Sequence, residues 1–437
     1  MLRHIQRLLA AVLFACAAAS AFAYNPPPFP RIAGVDVGGP FNYNDPKYQA
    51  NLAQASMVVL GMYPGLAPGG VSMQSVVEAI KAINPNELIF LYVNENELVQ
   101  NAGTDAFTPL RDKLNSMRWW LYPSGHSGTP VTSSFASNYW EINNTLFPAK
   151  DQNGLSSVDW MTQWFVQEYY KPAQSIDGFF MDNMFWQPRV DGDWNLSGQT
   201  QSSNNPTVGT WLRQGYAEYV NQARKLMPGK FQIANIADWG EPQAVWPEYQ
   251  NLVDGGVLEA MIGESWSVES WGGWNATMAQ YQKAMGPVRS PKLVIFNTWG
   301  RVTDYQAMRY SLATCLMNNA WFSYTDSGQG YHGVAWFDEF NVNLGQSTTQ
   351  PPTAPWHNGV WRRDFENGIA LVNPKGNGPQ TVTLETAFVK INGSQAHNVN
   401  NGATVTSVTL QDRDGIILLR QNAVRKPKPP TSVTTKG

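Results

Sequence analysis

The chain of 437 residues carries 30 basic and 33 acidic side chains, which gives a formal net charge of −3. This weakly acidic balance, without a long basic block in the part expected to fold, argues against nucleic acid as a partner. Beyond residue 23 no apolar run is long enough for a transmembrane helix, and a single thiol, Cys315, cannot form an internal disulfide.

The N-terminal segment has the three-part pattern of a signal peptide. It consists of a basic start at Arg3, His4 and Arg7, an apolar stretch over residues 8–19, and a small-x-small sequence at residues 21–23. We therefore expect cleavage before Tyr24 and a secreted or periplasmic protein. Lipoprotein processing at Cys16 is an alternative that the bulky Phe14 disfavours.

Short apolar runs alternate with amphipathic stretches from residue 31 to residue 326, which is the pattern of an α/β domain. Eight runs are predicted as strands, at residues 32–37, 57–63, 88–94, 178–182, 231–236, 257–262, 293–298 and 321–326. Helical spacing of apolar residues is found at 71–83, 158–170, 211–227, 278–285 and 305–318. Eight β–α units over about three hundred residues predict a (β/α)₈ TIM barrel. An open doubly wound sheet is the alternative, but no glycine-rich phosphate fingerprint follows the first predicted strand.

Four other regions differ from the repeating β–α units. Residues 119–144 contain two extended stretches, which we interpret as a β-rich excursion between the third and fourth barrel strands. Residues 327–359 are rich in Gly, Ser, Thr, Gln and Pro and predict a linker after the barrel of residues 24–326. Short strand patterns at residues 360–420 predict a small C-terminal antiparallel β-sandwich domain, and the basic, proline-rich residues 421–437 predict a disordered tail.

Acidic and amide side chains recur where the predicted barrel strands end, and TIM-barrel active sites lie at the C-terminal ends of the strands. The side chains predicted to bind substrate there are Asp36, Tyr63, Asn94, Glu97, Asn183, Asn235, Asp238, Asn297 and Asp326. Rings that could stack on the CH faces of sugars follow the strands at Trp239, Trp266 and Trp299. The alternative for any single one is a cap, a turn residue or a core tryptophan.

The sharpest local signal is the sequence Ser-Ile-Asp-Gly-Phe-Phe-Met-Asp-Asn at residues 175–183. Asp177 and Gly178 predict the turn into a buried strand, and Asp182 emerges at the far end of that strand. A carboxylate held there by an apolar strand is rigidly placed, as a nucleophile or an acid/base must be. The alternative is that Asp182 caps the helix that follows.

The sequence at residues 177–183, with Trp-Glu-Ile-Asn-Asn at residues 140–144 before it, resembles the fourth-strand region of a family of glycosyl-hydrolase-like TIM barrels. This family is related to the endo-α-1,4-polygalactosaminidases and includes the group named hypothetical glycosyl hydrolase family fifteen. Residues 361–374 look like the start of the C-terminal β domain of that family. The resemblance covers most of the chain after residue 23, and it implies a TIM barrel with glycosidase-type carboxylates. It does not imply a particular substrate, and an extracellular or periplasmic bacterial polysaccharide is the natural expectation.

Glycoside hydrolysis requires two carboxyl groups that flank one bond. Asp182 is predicted to supply one of them, as the nucleophile. The partner is sought on another strand, and the run of residues 254–259 repeats the pattern of a turn, an apolar strand and then an acid. Glu259 is the first candidate for the acid/base and Glu264 is its rival, since opposite parity prevents both from pointing inward from one regular strand.

Together these patterns predict a secreted glycoside hydrolase that cleaves a bacterial exopolysaccharide by a two-carboxylate mechanism. No cofactor or metal is expected, because the histidines after residue 23 lack metal-ligand spacing. A non-catalytic carbohydrate-binding barrel linked to polysaccharide export or processing is the alternative, and a lyase or transglycosylase could use the same acids. The sugar, the linkage, endo or exo action, the stereochemical course and the oligomeric state stay open.

Overall fold

The computed structural model describes residues 24–61, 71–100 and 103–422. Three sequence predictions lie outside these residues: the signal peptide with Cys16, the side chain of Tyr63, and residues 423–437 of the predicted tail.

Within the described residues, ten strands precede residue 327. They are β1 (Ala33–Asp36), β2 (Met57–Leu60), β3 (Leu88–Val93), β4 (Glu97–Val99), β5 (Tyr139–Glu141), β6 (Gly178–Met181), β7 (Phe231–Asn235), β8 (Gly255–Ile262), β9 (Leu293–Gly300) and β10 (Trp321–Asp326). Eight of them form one parallel sheet in the order β1-β2-β3-β6-β7-β8-β9-β10. The first and last strands meet through a parallel bridge from Ile32 to Phe322, where the Phe322 N–H donates to the Arg31 carbonyl at 2.7 Å. The predicted TIM barrel is confirmed, and each of its eight strands was located from the sequence.

Helices occupy the connections between the barrel strands. They are α1 (Pro46–Leu52), α2 (Met73–Ile83), α3 (Thr108–Met117), α4 (Ser157–Phe165, extended by a π-helical turn at Val166–Tyr170), α5 (Pro206–Leu226), α6 (Val268–Ala284) and α7 (Tyr305–Leu316). No helix in the described part of the chain combines the length and apolar character needed to cross a bilayer.

The strands of the barrel present alternate side chains to two different apolar clusters, as the period of two requires. One cluster fills the barrel interior and includes Val35, Phe90, Phe180, Ile233 and Val257. The other lies between the sheet and the helices. This alternation determines which side chains reach the mouth of the barrel from its interior.

The predicted β-rich excursion is a small antiparallel element outside the barrel. Strands β4 and β5 pair with Glu97 opposite Glu141, and a bridge between Trp120 and Ile142 extends the pairing. Because β4 begins only three residues after β3 ends, this element is attached directly to the mouth of the barrel.

The C-terminal antiparallel domain consists of β11 (Trp361–Phe365), β12 (Gly368–Asn373), β13 (Gln380–Lys390), β14 (Thr404–Leu410) and β15 (Asp414–Arg420). The predicted sandwich takes the form of one sheet in the order β11-β12-β15-β13-β14. A register shift between Thr383 and Phe388 bends β13, whose first half pairs with β14 alone. The bent sheet encloses its own apolar cluster, with Ile369 and Leu418 at the centre.

A buried arginine joins this sheet to the barrel. The guanidinium of Arg363, 1% exposed, donates to the Leu316 carbonyl at 3.0 Å, to the Asn318 carbonyl and to Asn319 Oδ1 at 2.6 Å. These acceptors lie at the end of α7 and in the turn into β10. The side chain therefore satisfies polar groups of the barrel that would otherwise be buried without partners.

We predict that Arg363→Leu lowers the free energy of unfolding by about 3 kcal/mol, because it leaves buried carbonyls unsatisfied. Urea denaturation measures the change. The control is Arg420→Leu, which removes a 3.5 Å ion pair from a side chain that is 40% exposed and should cost less than about 1 kcal/mol. Equal losses in the two variants would contradict the assigned role of Arg363.

Candidate active site

Three polar side chains continue the inward-facing rows of the barrel interior. Phe180, Ile233 and Val257 belong to the interior cluster. Asp182, Asn235 and Glu259, respectively, follow these three residues by two positions in the sequence. A step of two residues preserves the side-chain direction along a strand. The apolar packing below these three side chains therefore places them together at the C-terminal mouth.

The amide of Asn235 joins the two carboxyl groups. Its Nδ2 donates to Asp182 Oδ1 at 3.0 Å and to Glu259 Oε2 at 3.1 Å. Since both oxygens bond the same nitrogen, the distance between them cannot exceed the combined length of the two bonds, about 6 Å. Asp182 and Glu259 thus face one small space across β7.

Each carboxylate also accepts a hydrogen bond from a tyrosine. Tyr92 Oη donates to Asp182 Oδ2 at 2.7 Å, and Tyr331 Oη donates to Glu259 Oε1 at 2.5 Å. Burial raises the pKa of Asp182, and the bonds from Tyr92 and Asn235 oppose that rise. Burial, followed by the charge of Asp182, raises the pKa of Glu259, while Tyr331 and Asn235 lower it.

A backbone irregularity in β8 separates the two candidates for the acid/base. The pairing of β8 with β9 changes register between Leu258 and Ile262, and Ala260 has a left-handed φ of 46°. Asn297, which is fully buried, accepts from the Ala260 N–H at 3.2 Å and holds this irregularity in place. Its Nδ2 donates to Thr325 Oγ1 at 2.9 Å, so the Asn297 amide is engaged within the barrel.

Glu264 lies beyond the end of β8 and outside the bonded network. Gly263 precedes it with a φ of +110°, and a Cβ added there would lie 1.8 Å from the Trp299 carbonyl oxygen. The chain therefore leaves β8 through a turn that only glycine fits. Among the described residues the Glu264 carboxylate has no hydrogen-bond partner, whereas Glu259 has two.

A second pair of carboxyl groups lies in the β4–β5 element. Glu97 and Glu141 are opposite one another and 7% and 2% exposed. Glu97 accepts from the Ser133 hydroxyl, and Glu141 accepts from Asn96 Nδ2 at 2.8 Å. Burial, reinforced by the charge of Asp182, raises the pKa of Glu97 to about 7, and burial, reinforced by Glu97, raises that of Glu141 to about 8.

Glu95 is a further buried acid beside this pair. It is 1% exposed, and neither of its carboxyl oxygens has a partner within the described residues. Burial, with the charge of Asp182 as a contributor, raises its pKa well above the usual range. This environment disfavours the ionised form of Glu95, since an unpaired buried charge is costly.

Asp36 points away from the barrel interior, because its neighbour Val35 occupies the inward position. Its Oδ1 accepts from Tyr48 Oη at 2.9 Å and from the Gly333 N–H at 3.1 Å. Burial raises its pKa to about 6. In this structure Asp36 connects the end of β1 to the loop that carries Tyr331.

The other predicted polar residues form local contacts near the mouth. Asn94 Oδ1 accepts from the Asn96 N–H at 2.9 Å, and Asp326 Oδ1 accepts from the Gly328 N–H at 3.0 Å. Asn183, with a φ of 54°, donates its N–H to Asp182 Oδ1 at 2.9 Å. Asp238 lies 3.7 Å from Arg189, and burial raises its pKa to about 7.

The three predicted stacking tryptophans have different environments. Trp239 is fully buried, stacks on Tyr249 with ring centroids 4.6 Å apart, and presents no face to a ligand. Trp299 is half-buried and packs edge-on against Tyr331 at 4.9 Å. Trp266 is 55% exposed. Of these three tryptophans, only Trp266 and Trp299 have ring surface that a substrate could reach.

Tyr92, Tyr331 and Glu141 belong to the candidate site, although the sequence patterns did not predict them there. Tyr92 could have been found by parity, because it continues the inward row from Phe90. Tyr331 lies in a loop after β10, and Glu141 faces Glu97 across the antiparallel β4–β5 pair outside the barrel. Neither position follows from the strand pattern alone.

The model of a protein family described as hypothetical glycosyl hydrolase family 15 matches residues 81–369, more than half of the chain. The matched residues extend from before β3 into β12, and they include Asp182, Asn235, Glu259 and Tyr331. The resemblance inferred from residues 177–183 and 361–374 is therefore confirmed. No curated protein matches the chain.

Solved structures of glycoside hydrolases are similar in fold. An α-amylase from Anoxybacillus is 10% identical with a TM-score of 0.47, over 90% of this chain and 98% of that chain. The glycoside hydrolase domain of PelA from Pseudomonas aeruginosa is 14% identical with a TM-score of 0.41, over 70% of this chain and 98% of that chain.

The buried Glu141 predicts a pH dependence of stability. Its folded-state pKa of about 8 exceeds the value of about 4.3 expected in the unfolded chain. Between these values the folded state holds a proton that the unfolded state releases, so the free energy of unfolding falls as the pH rises from 4 to 8. Glu141→Gln should therefore be more stable than the wild type at pH 8, and the difference should vanish near pH 4.

Urea denaturation at pH 4, 6 and 8 measures this effect. Glu385→Gln is a control in which the stability should change in the opposite direction, because the hydrogen bond from Arg362 lowers the pKa of Glu385 to about 2. That stabilisation is present above the unfolded pKa and is lost as the pH falls towards 2. Glu385→Gln should therefore be the less stable protein at pH 8. A Glu141→Gln protein that is destabilised at pH 8 would refute the interpretation.

Proposed function

Because the chain belongs to hypothetical glycosyl hydrolase family 15 and is thereby a glycoside hydrolase, we propose that it cleaves a bacterial exopolysaccharide with Asp182 and Glu259 as its catalytic pair. The observation that supports this pairing is the shared amide of Asn235, which bonds both carboxylates at 3.0 and 3.1 Å. Two carboxyl groups that flank one bond are the chemical requirement of the reaction.

In the proposed first step, Asp182 attacks the anomeric carbon while Glu259 gives its proton to the glycosidic oxygen. The bond between that carbon and that oxygen breaks, and its electron pair leaves with the protonated alcohol. Water then attacks the glycosyl ester, loses a proton to Glu259 and releases Asp182. The raised pKa of Glu259 favours the protonated form that the first step requires.

The spacing of the pair favours retention of configuration. Retaining enzymes hold their carboxyl groups about 5–5.5 Å apart, and inverting enzymes about 6.5–9.5 Å apart to admit a water. The two oxygens that bond Asn235, Asp182 Oδ1 and Glu259 Oε2, lie at most about 6 Å apart, which is nearer to the retaining spacing than to the inverting one. Asp182 is thus proposed as a nucleophile rather than as a base for water.

Glu259 is proposed as the acid/base in preference to Glu264. Its position two residues beyond Val257 continues the interior row, and Asn235 and Tyr331 fix its orientation. A general acid must be held within hydrogen-bonding reach of the leaving oxygen. Glu264, which lacks such partners among the described residues, is assigned to the cleft edge near Trp266.

Substrate contacts are proposed for the residues at the mouth that retain accessible surface, namely Asn94, Trp266 and Trp299. Glu97 is assigned a supporting role, because its carboxyl is buried and bonded to Ser133. Action outside the cytoplasm is proposed from the signal-peptide pattern of residues 1–23. A polymer too large to enter a cell is the matching substrate.

We expect the wild type to release reducing sugar from at least one member of a panel of neutral, acidic and cationic exopolysaccharides, such as dextran, alginate and deacetylated poly-N-acetylglucosamine. Asp182→Asn and Glu259→Gln should each lower kcat by about 10²–10⁴. The control substitutions Glu264→Gln and Glu97→Gln should lower kcat by a smaller factor. Thermal unfolding verifies that each variant is folded.

Two outcomes would overturn the proposal. Full activity of Asp182→Asn would remove the proposed nucleophile, and a larger loss in Glu264→Gln than in Glu259→Gln would reassign the acid/base. Polysaccharide binding without any hydrolysis would favour the non-catalytic carbohydrate-binding alternative.

Each of the two tyrosines is predicted to affect a different limb of the pH–rate profile. Tyr92→Phe removes a bond that lowers the pKa of Asp182, so the acidic limb should move to higher pH. Tyr331→Phe removes a bond that lowers the pKa of Glu259, so the alkaline limb should move to higher pH. Profiles of kcat/KM measured for both variants provide the test, and a uniform loss across the pH range in both would contradict it.

A further inference from the structure

Phe135 is a large apolar side chain held in an exposed position at the mouth of the barrel. It belongs to the excursion between β4 and β5 and is 56% exposed. Its ring lies nearly parallel to that of Phe185, with centroids 5.8 Å apart and an interplanar angle of 13°. Phe185 is 7% exposed, so it supports the outer ring from within the protein.

The backbone of Phe135 is tied to the acidic side of the candidate site. Its N–H donates to Ser133 Oγ at 3.1 Å, and the Ser133 hydroxyl donates to Glu97 Oε2. The charge of Asp182 contributes to the raised pKa of Glu97. Two hydrogen bonds thus link the backbone of Phe135 to Glu97 in the β4–β5 element beside the candidate site.

The supporting ring has a second link to the site. Phe185 follows Asp182 by three residues, and its N–H donates to the Asn183 carbonyl at 2.9 Å. The guanidinium of Arg189 lies 4.7 Å from the Phe185 ring centroid and is also 3.7 Å from Asp238. Because Arg189 is 45% exposed, it offers hydrogen-bond donors beside the two rings.

We propose that Phe135, supported by Phe185, is a sugar-binding platform in the cleft, with Arg189 as a neighbouring donor to sugar hydroxyls. The inference rests on the proposed function and identifies a subsite of the same cleft. The apolar CH face of a pyranose fits the flat ring, while its hydroxyls require charged or polar partners at the edge. A rigid exposed ring loses little conformational entropy when it binds a ligand.

Packing alone does not explain this arrangement. An exposed phenylalanine contributes less to stability than a buried one, and the hydrogen bond through Ser133 fixes it where it remains in contact with water. A ring that is anchored from below and open above is suited to bind an apolar surface that arrives from solution.

The test uses the polysaccharide that the wild type hydrolyses in the panel above. Phe135→Ala should raise KM about three- to tenfold with little change in kcat, and Phe135→Trp should restore KM to within about twofold, because the ring is retained. The control is Leu226→Ala, an exposed apolar residue that ends α5 at the opposite end of the barrel, 36% exposed, and it should leave KM unchanged.

The outcomes separate this inference from the proposed function. Absence of hydrolysis by the wild type would refute the proposed function. If the wild type hydrolyses the polysaccharide, an unchanged KM in Phe135→Ala would refute the sugar-binding role of Phe135. A rise in KM in Phe135→Trp equal to that in Phe135→Ala would refute it as well. Neither result would affect the proposed catalytic pair. Thermal unfolding of each variant confirms that a change in KM does not reflect loss of folded protein.

Discussion

The amide of Asn235 is the interaction on which the candidate site depends. One nitrogen donates to both Asp182 and Glu259, so two like charges are brought together without a cation between them. Their mutual repulsion and their burial both favour the protonated form of one of them. The amide can bridge them because β7 lies between β6 and β8 and presents Asn235 in phase with the interior residue Ile233.

The acidic groups around that amide share one property, which is that burial removes them from water. Burial raises the pKa of Glu95, Glu97 and Glu141, as it does for the central pair. A barrel mouth with this many buried carboxyls would repel itself strongly if every one of them were ionised. Burial therefore favours the protonated forms of these acids. Asp182, which accepts hydrogen bonds from Tyr92, Asn235 and the Asn183 N–H, is the carboxyl whose negative charge is best compensated.

The sequence pattern predicted the barrel and located both members of the proposed catalytic pair because both depend on local rules. Asp182 directly follows the apolar strand β6 and Glu259 lies within β8, each in the inward phase, which short-range periodicity reveals. Trp239 also follows a strand, yet it lies in the core, since its environment is set by packing against Tyr249. The contacts of Tyr331 with Glu259 and of Glu141 with Glu97 depend on the path of long loops. The periodicity of single strands does not predict that path.

The loop that carries Tyr331 also leads from the barrel to the C-terminal sheet. Asp36 bonds Gly333 of that loop, the Gly38 N–H bonds the Tyr331 carbonyl, and the same segment continues to Gly345, which pairs with Phe29. The eight strands alone do not complete the proposed site, because the Tyr331 hydroxyl that bonds Glu259 belongs to the connection between the barrel and the sheet. A truncation or exchange that includes this connection would therefore remove a partner of Glu259 although every barrel strand is kept.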